Sequence, residues 1–313
     1  MSQNNDKLCR RQFVFAGSAL LATTAVLPIC AKVAAAPADF LPLKTPGKFK
    51  KSVKIGMVNV SGTLVDKFRV LKELGFDGVE LDSPTGLTVA EVQDAIEKTG
   101  LPVHGVVDSI HWNKTLSHPD AAVRHEGLKG LETAILESKA FGGTSVLLVP
   151  AVCNKEVSYE DAWTRSIAEI KKAIPLAERL DIDILMENVW NNFLTSPTET
   201  ARFIDELDSP KIGAYYDVGN SVRYAPPAEW IQVLGKRIKK LDIKEYDLEV
   251  GKKGDWYAGF NVELLDGSCN WPVVMEELRK IGFTEGWGTA EIPGGDRTRL
   301  ELIAKNMDKI FSL

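Results

Sequence analysis

The sequence is short of cysteine and histidine, carries no surplus of positive charge, and its one long apolar run is short for a membrane span. There are four cysteines and four histidines among 313 residues. Two of the cysteines, Cys9 and Cys30, fall in the first forty residues, which leaves Cys153 and Cys269. One conceivable pair is no disulfide framework, and single buried thiols are the better reading. The formal net charge of −5 disfavours a general nucleic-acid binder, which wants a basic face. No G-x-G-x-x-G follows the first apolar run, since Asn59 to Thr63 lacks the spacing. That argues against a dinucleotide-binding open sheet.

The first forty residues differ from the rest. Arg10 and Arg11 are followed by Phe13 and then by a stretch rich in Ala, Leu and Val that reaches Pro28. A positive start, an apolar middle and a small-residue exit describe a secretory signal. The paired arginines resemble the twin-arginine export signal, which implies a periplasmic address, and Ala36 to Ala38 offers an A-x-A cleavage site. A membrane anchor fits less well, because the run is short and holds Gly17, Ser18, Thr23 and Thr24. A lipid anchor at Cys30 lacks the small residue expected just before it. Residues 1–38 are therefore expected to be a signal that is removed, with no stable membrane insertion afterwards. Residues 39–51, with prolines and lysines, are expected to be a linker, and residues 52–313 the folded domain.

From there a rhythm of strands and helices begins. Strands are expected at Val53–Val60, Gly78–Asp82, Val103–Asp108 and Ser145–Val149, then in four further runs ending at Glu187, Asp217, Asp242 and Glu291. Helical spacing follows each one. The second helix is framed by Thr88 as N-cap, Glu91 three residues on and Gly100 as its stop. Strict alternation argues a parallel sheet. Eight repeats in one domain argue a single (β/α)8 barrel, the TIM barrel, whose typical length is about 250 residues.

A barrel turns all its strand ends to one face, where the active sites of this fold lie. Glu187, Asp217, Asp242 and Glu291 are then neighbours on half of the rim. Four carboxylates crowded together raise their own pKa values unless a cation is present. All-oxygen ligation favours a hard divalent ion such as Mn2+ or Mg2+. For any one of these acids alone, capping a helix or pairing with a nearby lysine is the simpler reading.

Five motifs, in order, resemble the sugar phosphate isomerase/epimerase superfamily, the xylose-isomerase-like barrels. They are Gly75–Leu81, Met186–Asn188, Tyr216–Asn220, Leu241–Glu245 and Ala290–Glu291. The resemblance implies one divalent ion held by Glu187, Asp217, Asp242 and Glu291, with Glu187 and Glu291 also serving as the catalytic acid–base pair. It implies proton removal next to the carbonyl of a keto-sugar, through an enediolate, to give isomerisation or epimerisation. Two positions depart from the pattern: Asn220 and Asp242 stand where the superfamily carries histidine. Asn220 can hydrogen-bond a sugar hydroxyl but cannot titrate, and Asp242 adds one negative charge.

Further substrate contacts are expected from His104, His111, Trp112, Asn188 and Lys244. His111 and Trp112 combine a polar donor with an indole suited to stacking on a sugar. Lys244 lies two residues past Asp242, on the same strand face. His104 reads equally as a satisfied core imidazole, Glu80 as a structural ion pair, and Asn188 as a turn residue. His118 and His125 read as surface residues. Trp190, Asn191, Asn192, Trp256 and Phe260 are expected on loops over the site, and the insertion Asp247–Cys269 is expected to select the substrate.

Two other functions use the same residues. A lyase would expel a group beta to the ketone of a 3-keto-glycoside from the same enolate. A sugar-binding protein would hold its ligand without turnover. A repair endonuclease on this barrel would need more metal-binding histidines and a basic face. The expected partner is a small sugar or glycoside, with self-association left open.

Overall fold

A computed structural model describes residues 48–313, and the expected signal and the start of the linker lie outside them. Eight strands run in chain order: β1 Lys48–Val53, β2 Val79–Ser83, β3 Val103–Asp108, β4 Ser145–Leu148, β5 Asp183–Glu187, β6 Ile212–Asp217, β7 Ile238–Ile243 and β8 Glu285–Ala290. All ladders are parallel, and β1 pairs with β8. Between β1 and β2 a single bridge, Lys54 to Glu80, nearly closes the ring. A long helix follows each strand: α1 Leu64–Glu73, α2 Val89–Thr99, α3 Ala121–Phe141, α4 Tyr159–Leu180, α5 Pro197–Leu207, α6 Pro227–Leu234, α7 Trp271–Lys280 and α8 Arg297–Phe311. This is the (β/α)8 barrel that the alternation argued.

Local chemistry sets most boundaries. Thr88 and Glu91 form the reciprocal capping box expected for α2, and Gly100 ends it at φ 66°, a left-handed position that suits glycine. Strand residues of one parity, such as Val146, Leu148, Ile184 and Met186, are fully buried against the helices. The other parity faces inward. Leu147, Leu185 and Tyr215 form a small apolar plug inside the ring, with Val107 packed against it. This inner plug is the floor beneath the site.

The first strand lies earlier than expected. Lys48–Val53 pairs with the whole of β8, while Ile55–Met57 forms a 3-10 turn. Lys48–Lys51, read as linker, are strand residues. Pairing outweighed composition here, because β8 would otherwise expose one edge. The lysine-rich strand also packs well. Phe49 stacks on Phe311 at 5.3 Å, and the Lys51 ammonium reaches Asp308 at 2.6 Å. The shift places Lys54 at the strand's C-terminal end.

At the end of β3, Asp108 is almost fully buried and accepts one bond, from Ile110 N at 3.3 Å. Burial pushes its pKa up to about 7, from an ordinary 3.8. The folded chain therefore holds a proton there that the unfolded chain releases at lower pH. Stability from this group is full below pH 4 and is lost as pH rises towards 7. Asp108→Asn is expected to match the parent near pH 4 and to exceed it by about 1–3 kcal/mol at pH 8. Urea unfolding at both pH values checks this, and a difference that does not change with pH contradicts it.

Candidate active site

Glu187 ends β5, Asp217 ends β6, Asp242 lies in β7 and Glu291 follows β8. Their side chains converge at the mouth, with one ligand oxygen from each within 4.8 Å of the others. Asp217 and Asp242 are fully buried, whereas Glu291 keeps 32% of its side chain exposed to the cavity. Two ammonium groups thread the cluster. Lys244 Nζ lies 2.6 Å from Asp217 Oδ2 and 3.0 Å from Glu291 Oε2. Lys54 Nζ lies 3.1 Å from Asp242 Oδ2 and 3.1 Å from Glu291 Oε2.

These contacts split the two glutamates. Burial, reinforced by the charge on Glu291, pushes Glu187 up to about 8. Burial pushes Glu291 the same way, but Lys244 and Lys54 together outweigh it and hold this carboxyl below the usual range. Burial also raises Asp217, to about 6, and Asp242 well above its ordinary value. Two acids whose environments drive them apart make a natural proton donor and acceptor.

The cluster fits a divalent ion. With all four carboxyls ionised, as ligation of a cation requires, the two ammoniums leave a formal −2, and every donor is oxygen, as a hard ion prefers. Asp242 Oδ1 is buried without a hydrogen-bond partner. A buried carboxylate oxygen left bare is costly unless a cation faces it.

Above the cluster opens a cavity of about 520 Å³. Lys54, Glu187, Asn220, Lys244 and Glu291 line its floor, and Trp112, Trp190, Tyr257, Phe260, Ile292 and Pro293 its rim. Among the described residues, Lys54 and Lys244 are the only cationic side chains lining it. Trp112 and Tyr257 are 50% and 63% exposed. Arg223 lies over the rings of Trp190 and Trp256 and does not line the cavity.

The expected contacts divide into two groups. His111, Trp112, Asn220 and Lys244 line the cavity. His111 Nδ1 accepts from Val149 N at 3.2 Å, and burial lowers its pKa to about 3, so the ring is neutral. Asn220 donates to Asn188 O at 3.0 Å and sits 3.5 Å from Glu187 Oε1.

His104 and Asn188 do not line the cavity. His104 lies inside the barrel, stacked on Trp287 at 4.4 Å, with Lys240 Nζ at 2.8 Å and Thr289 Oγ1 at 3.2 Å. It faces the layer below the mouth because β3 bulges beside it, where Val79 pairs with Val103 and Glu80 with Gly105. Asn188 exchanges two bonds of 2.9 Å with the backbone of Asp217, so it positions that carboxylate from behind. Glu80 accepts from the Tyr215 hydroxyl at 3.0 Å beneath the floor. His118 and His125 stay away from the cavity, as expected of surface residues. Asn191 ties its own loop to Ala151 O at 2.5 Å.

Sequence reasoning missed Lys54, Tyr257 and Glu245. Glu245, just past Lys244, is a buried anchor for the insertion. Its carboxylate accepts from Tyr246 N, Leu265 N, Cys269 N and Trp271 Nε1 at 2.8–3.2 Å. Gly267 lies so close that a Cβ there would meet Glu245 Oε1 at 2.5 Å. Glu245→Ala strands those donors and is expected to cost about 2–4 kcal/mol. Limited proteolysis should then cut within residues 247–269 first, and an unchanged cleavage pattern would refute the anchoring role.

The profile of the xylose isomerase-like TIM barrel family matches residues 68–313. The chain belongs to that family. Among curated relatives, L-ribulose-5-phosphate 3-epimerase UlaE of Salmonella paratyphi A is 23% identical over 250 residues, which cover 74% of this chain and 85% of the relative. Among solved structures, 3-keto-D-glucoside 4-epimerase YcjR of E. coli aligns with a TM-score of 0.71 at 17% identity, over 85% of this chain and 100% of the other. D-allulose 3-epimerase of Methylomonas sp., in complex with D-allulose, aligns at 0.68 and 17% identity, over 84% and 97%. At such identities the structural likeness speaks to the fold. Within this xylose isomerase-like barrel, no helix among the described residues is long and apolar enough to cross a membrane.

Proposed function

We propose that this barrel is a sugar isomerase or epimerase that moves a proton on the carbon beside the carbonyl of a keto-sugar. The observation that carries the reading is the convergence of Glu187, Asp217, Asp242 and Glu291 beneath one cavity, with one oxygen from each within 4.8 Å of the others. A divalent ion, Mn2+ or Mg2+, held by Glu187, Asp217, Asp242 and Glu291 would supply Lewis acidity when bound. Glu291, ionised, takes the proton from carbon. The electrons of that C–H bond move into the adjacent carbon–carbon bond, giving an enediolate. Lys244 stands beside the floor as a positive charge for the developing oxyanion. Glu187, protonated, returns a proton to the other face for epimerisation, or to the neighbouring carbon for isomerisation.

The aromatic rim favours an uncharged substrate with an apolar or ringed extension over a sugar phosphate. Both lining lysines lie against carboxylates of the cluster, and among the described residues no further cationic side chain lines the cavity where a phosphate would want one. The same rim keeps a second reading, beta-elimination from a 3-keto-glycoside, since it offers room for an aglycone.

Turnover of 3-keto-glycosides and free ketoses in D2O tests both readings. Deuterium in recovered substrate or its isomer supports the first, and an ultraviolet-absorbing enone with freed aglycone supports the second. Tight sugar binding with neither product would leave a binding protein.

Export by the twin-arginine route to the periplasm is proposed from residues 1–38. Replacing Arg10 and Arg11 by lysine should trap the protein in the cytoplasm, and unimpaired export would sink that assignment.

A further inference from the structure

We propose that Lys54 is a resident cation of the carboxylate cluster, competing with a divalent ion for the same oxygens and so setting how firmly that ion is held. Lys54 is the first residue past β1, and its bridge to Glu80 fixes the backbone where the barrel closes. Its ammonium touches two of the four carboxylates at 3.1 Å each and lies 5.9 Å from the centre of the Tyr215 ring. Asp242 Oδ2 accepts a hydrogen bond from it, while Asp242 Oδ1, on the same carboxylate, has no partner. The cluster is thus matched on one side by the protein's own cation and left open on the other.

Lys54 and Lys244 are only 13% and 14% exposed, so water screens these pairs weakly. Without an ion, the ammonium of Lys54 offsets the mutual repulsion of Asp242, Glu291 and Glu187. When an ion enters, it draws on oxygens that Lys54 already holds, and loosening those pairs subtracts from its affinity. Removing the ammonium therefore acts in opposite directions on two quantities. Metal-free stability falls, because buried carboxylates lose their counter-charge. Ion affinity rises, because nothing is displaced. A lysine that merely props up the fold would lower stability with and without the ion and would leave affinity unchanged or weaker.

The inference depends on the cluster binding a divalent ion and not on the reaction proposed above, so it is tested without substrate. Mn2+ is titrated calorimetrically into chelator-stripped parent, Lys54→Met, Lys54→Gln and Lys54→Arg. The two neutral variants are expected to bind Mn2+ at least about 10-fold more tightly, equivalent to about 1.4 kcal/mol. Lys54→Arg, which keeps the charge, should stay within about threefold of the parent. Metal-free Lys54→Met should melt about 2–6 °C below the parent, and the gap should close at saturating Mn2+. If Lys54→Met does not fold, the Gln and Arg variants carry the comparison. Equal or weaker Mn2+ binding by the neutral variants overturns the proposal, as does an absence of Mn2+ binding by every protein tested.

Discussion

Glu187→Gln is expected to lower turnover by about 10²–10⁴-fold, the usual worth of a positioned proton donor, with little change in fold. Glutamine keeps the shape but cannot deliver a proton. The split between the two glutamates makes the expectation finer. In the direction where Glu291 removes the proton, the Glu187→Gln protein should still exchange that substrate hydrogen with D2O while forming little product. Glu291→Gln should lose exchange and product formation together. Mass spectrometry of recovered substrate distinguishes the two. Equal loss of exchange in both variants would show that the roles are not divided in this way. The Glu291 variant should also melt lower, because Lys54 and Lys244 both pair with that carboxylate.

Removing divalent ions should have an effect of similar size. Prolonged chelation followed by desalting is expected to reduce turnover by about 10²–10⁴-fold, since an ion that polarises a carbonyl is worth several kcal/mol. Mn2+ or Mg2+ should restore it, in keeping with an all-carboxylate donor set. Asp217→Asn should weaken this restoration, because it removes a charged, fully buried ligand without emptying its place. Full activity after verified removal of metal would contradict the ion's role. In that case Lys54 and Lys244 would be the only cations lining the cavity floor among the described residues.

Much of this architecture can be read along the chain. Glu187, Asp217, Asp242 and Glu291 stand out because each closes an apolar run, and a barrel brings the ends of successive parallel strands together. Lys244 follows from period 2 along β7. The start of the barrel is hidden in the sequence because Val53 to Val60 is more apolar than Lys48 to Val53. Strand choice there depends on β8, more than 230 positions away, which needs a partner.

The sequence by itself determined the eightfold strand–helix alternation, the four acids at one rim and the aromatic character of the loops above them. Those features depend on local periodicity and on which residue ends each strand. The tertiary structure alone decided that Lys54 reaches Asp242 across 188 positions of chain. It also placed His104 beneath the mouth, put Asn188 behind Asp217, and made Glu245 the tether of the insertion. These outcomes hang on ring closure and on the register shift beside His104. Because β8 pairs with both β1 and β7, the ends of these two strands meet at the mouth, and nothing in the pattern of either strand encodes that meeting.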